Sequence, residues 1–373
     1  MAVIVLTANT SWYIYNFRKN TIKALIDNGY SIVVISPKDE YSDKIISLGA
    51  DFIPVHIERG SINPLKEILL IIRFFKIYNK LKPDVVLNFT PKNNIYSTLA
   101  ATYAGSKVIN NIAGLGVSFN KNNFLYFIVK NLYKLSQNKA YRVFFQNETD
   151  RNFFIDNDLI PISKTKRLPG SGVDLERFCT VSAPDDGVVR FLLVARLLVE
   201  KGVVHFAEAA KILKNKYGDS VEFNLLGFID SVSPSAISSD QINIWVNEGI
   251  VSYLGVSQNV EKEIGRSDCI VLPSFYREGV PKSLLEACAM GKPIITTDNV
   301  GCRETVVDGI NGFLCTPRSS LSLLEKMESM INMTHAQRLA MGEYSRKKAE
   351  NEFDEKIVIN EYVRAVKELV RAY

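Results

Sequence analysis

Two cations five residues apart, Arg196 and Lys201, stand in a short loop that reads Arg-Leu-Leu-Val-Glu-Lys-Gly. The apolar run 190–195 predicts a strand before this loop, and a helical pattern begins near Val203. Cations at a strand end and a helix start can hold a diphosphate from two sides, because the first N–H groups of the helix also face the anion. The alternative interpretation is a solvated loop with ordinary surface charges.

A second polar segment, residues 274–286, follows a buried strand that ends at Leu272. Gly279 allows a backbone to come close to a ligand, and Pro281 suits the first turn of a helix. No Ser, Thr, Asp or Asn stands directly before Pro281 to cap that helix. The N–H groups around Ser283 are therefore predicted to be open to a ligand.

Two carboxylates belong to the same segment. Glu278 lies in the loop, and Glu286 lies about a turn and a half inside the helix. We expect them to face different parts of one site. In the alternative interpretation Glu278 is exposed and Glu286 pairs with a neighbouring lysine.

Short apolar runs alternate with helical patterns and must position both segments. The predicted strands of the first half are residues 2–6, 31–35, 51–55, 84–89, 107–110 and 142–145, and the helices between them are 17–28, 64–80 and 94–104. The predicted strands of the second half are residues 190–195, 221–226, 251–253, 269–272 and 293–296. Strands buried on both faces and joined by helices predict the α/β class with doubly wound parallel sheets.

The length of 373 residues is enough for two domains, at roughly 150 residues each. A turn-rich stretch at 180–187 separates the two series of strands, so we predict Rossmann-like domains at 1–180 and 188–373. Such domains in tandem leave a cleft, with chemistry in the loops that follow strands. The C-terminal helices, 335–373, show no catalytic signature and are expected to brace both halves.

Composition excludes several classes of protein. Hydrophobic residues make up 47% and charged residues 23%, which excludes disordered and low-complexity chains. The longest apolar runs, 68–72 and 124–129, are far shorter than the roughly 20 residues of a membrane span. The N-terminus lacks the features of a signal peptide, and we expect a cytoplasmic protein. The five cysteines form no C-x-x-C pair, which disfavours disulfides and structural zinc.

Positive charge is concentrated in the first half. Residues 1–180 contain 23 Lys and Arg against 14 Asp and Glu, whereas the remainder contains 22 against 26. This asymmetry indicates an acidic partner, either nucleic acid or anionic lipid. Nucleic acid is disfavoured because the sequence shows no helix-turn-helix, zinc-finger or RNP-like pattern.

Two predicted helices fit a membrane surface. In helix 64–80, a basic stripe of about 80° of arc is formed by Lys66, Arg73, Lys76 and Lys80. In residues 124–135 the predicted outward face holds Tyr126, Lys130, Tyr133 and Lys134, and the predicted core face holds Leu125, Ile128, Val129 and Leu132. Basic and aromatic helices of this kind bind anionic membranes, and a solvated helix face is the alternative.

The paired motifs resemble the retaining glycosyltransferases of family 4, which have the two-domain GT-B fold. The resemblance rests on Arg-x4-Lys-Gly at 196–202, Glu-Gly-x-Pro-x3-Leu-Glu-Ala at 278–287 and Gly-Lys-Pro-Ile-Ile at 291–295. It extends to Asn-Phe-Arg at 16–18, Gly-Leu-Gly at 114–116 and Gly-x-Asn-Gly at 309–312. Within the family the chain is most similar to bacterial enzymes that build O-antigen, capsule or protein-glycan chains on undecaprenyl diphosphate.

The resemblance implies roles for individual residues. Arg196 and Lys201 would clamp the nucleotide diphosphate, Glu278 would contact the transferred sugar, and Glu286 would accept hydrogen bonds from the ribose hydroxyls. Gly227 would let the nucleotide approach closely. The remaining members of the implied donor-binding set are Val256 and Val260, which would line the base pocket, together with Gly279, Val280 and Ser283.

The chemistry implied is transfer of a hexose or N-acetylhexosamine from a UDP-sugar to an undecaprenyl-diphosphate-linked saccharide, with α-1,3-linked N-acetylgalactosamine as the most specific expectation. Breaking the anomeric bond places negative charge on the leaving diphosphate, where cations and N–H groups stabilise it, so no metal or other cofactor is required. The loop 110–114 holds no histidine to act as a base. Front-face retention, in which the departing phosphate oxygen takes the acceptor proton, is therefore favoured.

Two other functions fit the sequence less well. A nicotinamide dehydrogenase fits poorly, because Gly114 and Gly116 are followed by Phe119 where a third Gly or Ala is needed, and the pair Gly170 and Gly172 is likewise incomplete. A catalytically degenerate transferase fold could serve as a partner subunit of a polysaccharide assembly complex. The presence of both glutamates beside Arg196 and Lys201 argues against it.

Overall fold

Buried β-branched and leucine-rich runs form two parallel sheets. The computed structural model describes residues 1–58, 60, 63–115, 124–230 and 233–371. The strands of the first sheet are β1 Val3–Thr7, β2 Ser31–Ser36, β3 Asp51–Pro54, β4 Val85–Asn88, β5 Lys107–Ile112, β6 Arg142–Phe145 and β7 Thr165–Arg167. The strands of the second are β8 Val189–Val194, β9 Val221–Leu226, β10 Ser252–Tyr253, β11 Cys269–Leu272, β12 Ile294–Thr297 and β13 Gly312–Cys315.

Helices connect these strands in both halves of the chain. Those that accompany the first sheet are α1 Ser11–Asp27, α2 Ser42–Ile46, α3 Pro64–Leu81, α4 Thr98–Tyr103, α5 Phe124–Gln137 and α6 Glu148–Asp156. Those that accompany the second are α7 Val203–Tyr217, α8 Ser239–Asn247, α9 Val260–Arg266, α10 Lys282–Ala289, α11 Ser320–Ile331 and α12 His335–Lys348. A last helix, α13, runs from Glu355 to Arg371, and π-helical turns occupy Asn93–Ser97 and Ala349–Phe353.

The chain divides into two units. The first comprises Met1–Ser171 and Lys356–Tyr373, and the second comprises Gly172–Glu355. These limits differ from the predicted domains, 1–180 and 188–373, at both ends of the second unit. Val173 belongs to the second unit because its N–H donates to the carbonyl of Phe353, and because its side chain is buried in that unit's core.

The end of the chain belongs to the first unit for a similar reason. Helix α13 places six hydrophobic side chains in the core of the first unit: Val358, Tyr362, Val363, Ala365, Val366 and Leu369. Helix α12, in contrast, lies in the second unit. The C-terminal helices that were predicted as one bracing group are thus divided between the two units.

Both sheets have the same strand order over six strands, and the first has a seventh strand at one edge. The first runs β3-β2-β1-β4-β5-β6-β7 and the second runs β10-β9-β8-β11-β12-β13, and every pairing is parallel. In each sheet the direction of winding reverses beside the unit's first strand, between β1 and β4 and between β8 and β11. The predicted fold class, two doubly wound parallel-sheet domains, is confirmed. Ligands of such sheets bind beyond the carboxyl ends of the strands at this reversal.

Several elements differ from the prediction. Strands β7 and β13 and helix α2 were not predicted, and α1 begins at Ser11 rather than at residue 17. The helix predicted at 94–104 is divided into a π-helical turn and α4. The amphipathic pattern of α5 was also assigned to the wrong face at two positions. Tyr133 is buried against Phe154, and Ile128 is exposed to solvent.

A network of neutral polar side chains fills the carboxyl ends of β4 and β5 in the first unit. Asn88 accepts from the Thr7 hydroxyl at 2.6 Å and donates to Asn110 Oδ1 at 2.9 Å. Asn110 in turn donates to Gln137 Oε1 at 2.7 Å, and Gln137 donates to the backbone carbonyl of Asn94 at 2.8 Å. All of these side chains are fully buried. Their hydrogen bonds to one another offset the cost of removing amides and hydroxyls from water.

Candidate active site

Two loops meet at the winding reversal of the second sheet. The first follows β8, and the second follows its neighbour β11, which pairs with it at Cys269 and Phe191. The loops are joined at the backbone, because the N–H groups of Phe275 and Tyr276 donate to the carbonyl of Glu200 at 2.9 and 3.2 Å. Sheet order therefore brings together the two polar segments that are some 75 residues apart in sequence.

Lys201 and Glu278 form an ion pair at this junction. Their side chains are only 13% and 12% exposed, and Lys201 Nζ contacts Glu278 Oε1 directly. The Ser274 hydroxyl also donates to Glu278 Oε1, at 3.0 Å, and Lys201 Nζ lies 5.4 Å from the centre of the Tyr276 ring. The interpretation in which Glu278 is an exposed loop carboxylate is therefore wrong.

Arg196 stands at the other end of the same loop and is exposed. Its Nη1 lies 3.1 Å from Asp230 Oδ2, in the segment that follows β9. The loop after β8 thus presents one cation towards the β9 side and one towards the β11 side. Each cation has a carboxylate partner.

Two glycines allow neighbouring backbone segments to pack closely at this edge of the sheet. Gly202 has a φ of +78°, and a Cβ there would collide with the carbonyl of Pro273. Gly227 has a φ of +151°, and a Cβ there would collide with the carbonyl of Ala195. Both positions require glycine for packing within the protein. That Gly227 also lets a nucleotide approach stays a prediction.

The two predicted base-pocket residues belong to the segment that follows β10: Val256 lies in the loop, and Val260 lies at the start of α9. Gly227 N–H donates to the carbonyl of Gly255 at 2.8 Å, and the Tyr253 hydroxyl donates to the carbonyl of Gly227 at 2.9 Å. Val256 follows directly and is strongly exposed, whereas Val260 begins α9 and packs partly against the core. Hydrogen bonds therefore connect Gly227 to the segment that contains Val256 and leads to Val260.

Helix α10 begins without a side-chain cap, as its sequence predicts. Pro281 is the N-cap residue, and the helix has no side-chain cap hydrogen bond. Gly279 and Val280 are buried just before it, and Ser283 is half-buried in the first turn. The carbonyl of Gly279 packs against Gly301, where it leaves no room for a Cβ.

Glu286 lies in α10, apart from the Lys201 and Glu278 pair. Burial raises the pKa of its carboxyl group to about 7, against the opposing effect of the charges of Lys282 and Arg177. Lys282 Nζ donates to the carbonyl of Gly172, and Arg177 pairs with Glu261 at 3.0 Å. Within the described part of the chain, the Glu286 carboxylate accepts no hydrogen bond. The alternative in which it pairs with a neighbouring lysine is thus not what the structure forms.

Sequence reasoning missed several residues of this site. Ser274 supports Glu278, Asp230 pairs with Arg196, and Arg177 lies near Glu286. Asn299, after β12, donates to the carbonyl of Tyr276 at 2.8 Å and so fixes the loop after β11. Ser274 had a signal in the sequence, its position two residues after the strand that ends at Leu272. Gly116, the second glycine of the Gly-Leu-Gly segment, and Phe119 lie outside the described residues.

Two family descriptions match the chain. "Glycosyl transferases group 1" matches residues 179–348, and "Glycosyl transferase 4-like" matches residues 3–147. The chain is 30% identical to N,N'-diacetylbacillosaminyl-diphospho-undecaprenol alpha-1,3-N-acetylgalactosaminyltransferase of Campylobacter jejuni, with 96% of each chain covered. The chain belongs to the family 4-like glycosyltransferases. A UDP-Gal:alpha-D-GlcNAc-diphosphoundecaprenol alpha-1,3-galactosyltransferase of Escherichia coli is 28% identical over 74% of this chain and 73% of that one.

Solved structures agree with the GT-B fold of this glycosyltransferase. A glycosyltransferase from Rickettsia africae superposes with a TM-score of 0.80 at 19% identity and covers 100% of this chain and 99% of that one. HepE of Anabaena, solved in complex with UDP, superposes with a TM-score of 0.77 at 18% identity over 99% of this chain and 100% of that one. Among the residues the structure describes, no helix of the glycosyltransferase combines the length and the apolar character of a membrane span.

Proposed function

We propose that this glycosyltransferase moves a hexose or N-acetylhexosamine from a UDP-sugar to a saccharide carried on undecaprenyl diphosphate, in the assembly of a bacterial surface polysaccharide or glycan. The observation that carries the proposal is a set of charges at one sheet edge: Arg196, Lys201 and Glu278 at the winding reversal, with Glu286 in the helix that follows. The names of the C. jejuni and E. coli relatives, both of which act on diphosphoundecaprenol-linked sugars, support the acceptor class.

Arg196 and Lys201 are proposed to hold the diphosphate of the donor. Both reach the edge where parallel sheets bind ligands, and the uncapped start of α10 adds backbone N–H groups that attract an anion. When the bond to the anomeric carbon breaks, charge develops on the diphosphate oxygens. Cations already fixed in place stabilise that charge more in the transition state than in the ground state, and this difference lowers the barrier.

Glu286 is proposed to bind the ribose. A half-buried carboxylate that accepts no hydrogen bond from the described residues is costly when ionised, which its raised pKa of about 7 expresses. Two ribose hydroxyls would supply the missing donors. Gly227, Val256 and Val260 are proposed to bind the base, since the segments that hold them are joined by hydrogen bonds.

Glu278, with Gly279, Val280 and Ser283, is proposed to contact the transferred sugar. The Ser274 hydroxyl and Lys201 hold the Glu278 carboxylate in one position. We propose that the linkage formed is α, with retention of configuration at the front face of the sugar. In that reaction the leaving phosphate oxygen accepts the proton of the acceptor hydroxyl as the new C–O bond forms.

The proposed donor and linkage, N-acetylgalactosamine in α-1,3 linkage, rest on the name of the C. jejuni relative. The proposed place of work is the cytoplasmic face of the cell membrane, because a polyprenyl diphosphate acceptor is held in the bilayer. The basic residues of α3, Lys66, Arg73, Lys76 and Lys80, are proposed to attract the first unit to anionic lipid there. At low salt, reversal of all four charges to Glu should release the chain from anionic vesicles, because the new carboxylates are repelled by the anionic lipid, and should leave UDP binding intact.

The decisive experiment is a panel of UDP-sugars offered with diphosphoundecaprenol-linked saccharides. Mass spectrometry of the lipid product and release of UDP are measured for the full chain and for Lys201→Ala as the matched inactive control. We expect one UDP-sugar to be transferred, with an α anomeric signal in the NMR spectrum of the product. Exclusive use of a GDP- or dTDP-sugar, or a β product, contradicts the proposal. Absence of transfer from every donor instead supports a degenerate partner subunit.

A further inference from the structure

The outer face of α3, the face turned away from the first sheet, is half apolar. Five large hydrophobic side chains on it are 39–72% exposed: Leu65, Ile68, Leu69, Ile72 and Phe75. At about 100° per residue these positions lie within about 120° of arc. The opposite side of the helix is buried in the core through Leu70, Phe74 and Tyr78. The helix therefore has a core stripe and a second, separate apolar stripe that faces solvent.

Basic residues border the exposed apolar stripe along one side. Lys66, Arg73 and Lys80 occupy the adjoining part of the outer face, and Lys76 lies just inside the edge of the stripe, near Leu69. The single acidic residue of α3, Glu67, is buried on the core side and pairs with Lys92. Lys66 pairs with Glu58 outside the helix, and both of these side chains are exposed. The outer face of α3 thus combines apolar and positive groups and carries no negative charge of its own.

Helix α5 repeats the combination nearby. Its buried side packs through Tyr133 into the same core cluster as α3, so both helices cover the same side of the first sheet. Its exposed side presents Phe127, Ile128 and Leu135 together with Lys134. Helix α5 therefore presents further apolar groups to solvent on the same side of the first sheet.

The first unit as a whole is strongly positive. Within its structural limits, residues 1–171 and 356–373, it holds 26 Lys and Arg against 14 Asp and Glu. The second unit holds 19 against 26. The contrast is sharper than the one between the sequence halves. The C-terminal segment adds four basic residues and two acidic ones to the first unit, and residues 172–180, with one basic and two acidic residues, belong to the second.

We propose that the apolar stripe of α3 inserts between the lipids of an anionic bilayer, with α3 lying in the plane of the membrane. Side chains such as Leu65, Leu69 and Ile72 would be buried at the boundary of headgroups and acyl chains, and the neighbouring lysines would reach the lipid phosphates. The inference rests on the proposed function only in that a lipid-linked acceptor gives the enzyme a reason to be there. A second copy of the chain would instead place like charges against one another.

Insertion differs from attraction by charge in its response to salt. At about 1 M salt the Debye length is about 3 Å, so exposed lysines lose most of their attraction for lipid headgroups. Burial of apolar side chains does not weaken under those conditions. The chain should therefore remain on anionic vesicles at a salt concentration that releases a protein held by charge alone.

The test replaces four residues of the stripe with glutamine, which keeps the charge and the helix propensity. The test variant is Leu65→Gln, Ile68→Gln, Leu69→Gln and Ile72→Gln. The matched control makes four equivalent changes at second-unit residues that are 47–65% exposed: Ile212→Gln, Ile244→Gln, Ile310→Gln and Leu321→Gln. Sedimentation with vesicles of equal parts phosphatidylglycerol and phosphatidylcholine is measured at low and at about 1 M salt.

We expect the parent chain and the control to sediment at both salt concentrations, and the test variant to partition at least about tenfold less at each, since burial of even one large apolar side chain changes a partition equilibrium by about that factor. UDP affinity and thermal unfolding should be equal in all three proteins. Equal sedimentation of the test variant, or complete release of the parent by salt, overturns the proposal. So does a parent that is dimeric in solution while the test variant is monomeric. No arm uses a donor or acceptor sugar, so failure of the proposed transfer reaction would leave this result unaffected.

Discussion

The two sheets have the same order over six strands, but different kinds of side chain lie where the winding reverses. At the ends of β8 and β11 the second unit places charged groups in partly exposed ion pairs, Lys201 with Glu278 and Arg196 with Asp230. At the ends of β1, β4 and β5 the first unit places neutral groups, among them Thr7, Asn88 and Asn110, in a fully buried network. One topology therefore supports two chemistries.

The difference indicates in which unit a side chain can exchange its protein partner for a ligand. A charge that retains some exposure can exchange a protein partner for a ligand at moderate cost, because it is never wholly removed from water. A buried amide network must remain complete, because each unpaired member loses its hydrogen bonds to water without replacement. We therefore expect substitutions in the second unit's set to change activity and substitutions in the first unit's set to change stability.

Removal of either cation of the second unit should have the largest effect. Lys201→Ala and Arg196→Ala should each lower transfer at least about a hundredfold, the usual result of losing one group that stabilises charge in the transition state. Release of UDP is measured, and circular dichroism verifies the fold. Lys211→Ala is the control, because Lys211 also pairs with a glutamate, Glu248, but lies on an exposed surface. Near-normal turnover in both variants would show that these ion pairs are structural.

Glu286→Gln should have the next largest effect. The substitution keeps the size of the side chain and removes the charged acceptor, and hydrogen bonds to charged groups contribute about 1.5 to 3 kcal/mol. UDP affinity should therefore fall roughly ten- to a hundredfold in titration calorimetry. Glu261→Gln, which removes a nearby carboxylate that pairs with Arg177, is the control. Unchanged UDP affinity would give Glu286 a structural role.

Asn110→Asp should lower stability and leave UDP affinity unchanged. The aspartate cannot donate to Gln137 Oε1 or to the carbonyl of Asn94 as the amide does. We expect the free energy of unfolding to fall by about 1 to 3 kcal/mol, the cost of a buried unsatisfied polar group, as measured by urea denaturation. Asn247→Asp, at an exposed position of α8, is the control. A parent-like stability with weakened UDP binding would reverse the assignment of roles to the two units.

The smallest effect is a dependence of UDP affinity on pH. Burial raises the pKa of Glu286 to about 7, so the carboxylate is mostly neutral at pH 6 and mostly ionised at pH 8. If the ionised form binds the ribose, affinity should rise up to about tenfold across this range. The β-phosphate of UDP titrates near pH 6 itself, so the matched Glu286→Gln variant supplies the baseline. An identical pH dependence in both proteins contradicts the role of Glu286.

The raised pKa of Glu286 also affects the free energy of unfolding, which changes with pH in the opposite direction to UDP affinity. Between the ordinary carboxyl pKa of 4.5 and about 7, the folded chain holds a proton on Glu286 that the unfolded chain has lost. This residue therefore favours the unfolded state increasingly as the pH rises through that range.

Most of the sheet architecture could be predicted because buried parallel strands are continuous apolar runs. The strands Arg142–Phe145, Val221–Leu226 and Cys269–Leu272 have the predicted bounds. Strand β7 was missed because its sequence, Thr-Lys-Arg, has neither apolar periodicity nor β-branched clustering. The face of α5 was misassigned because the run 124–129 is apolar all round the helix, and only packing against α6 decides that Tyr133 is buried.

The sequence predicts which residues belong to the candidate site, but it does not predict which of their side chains contact one another. The motifs place Lys201 and Glu278 after strands, but their contact depends on β8 and β11 being neighbours, which no local pattern encodes. Likewise, Asp230 and Arg177 have no motif around them, because their roles follow from where the chain returns in space. Arg18, in the Asn-Phe-Arg motif, proves to be buried, with its guanidinium 4.6 Å from the Phe89 ring centre and 5.3 Å from that of Tyr362.

The place of α13 has a consequence for biosynthesis. A ribosome that adds about 5 to 20 residues per second needs roughly ten to forty seconds to make the segment between Ser171 and Lys356. During that time the nascent first unit exposes the apolar groove that Val358, Tyr362 and Val366 will fill. The second unit is continuous and can fold while it emerges, but the first must wait for the last helix. Chaperones that bind exposed apolar surface should therefore bind the nascent chain through that groove, and ribosome-bound chains that stop before α13 should remain sensitive to protease in the first unit.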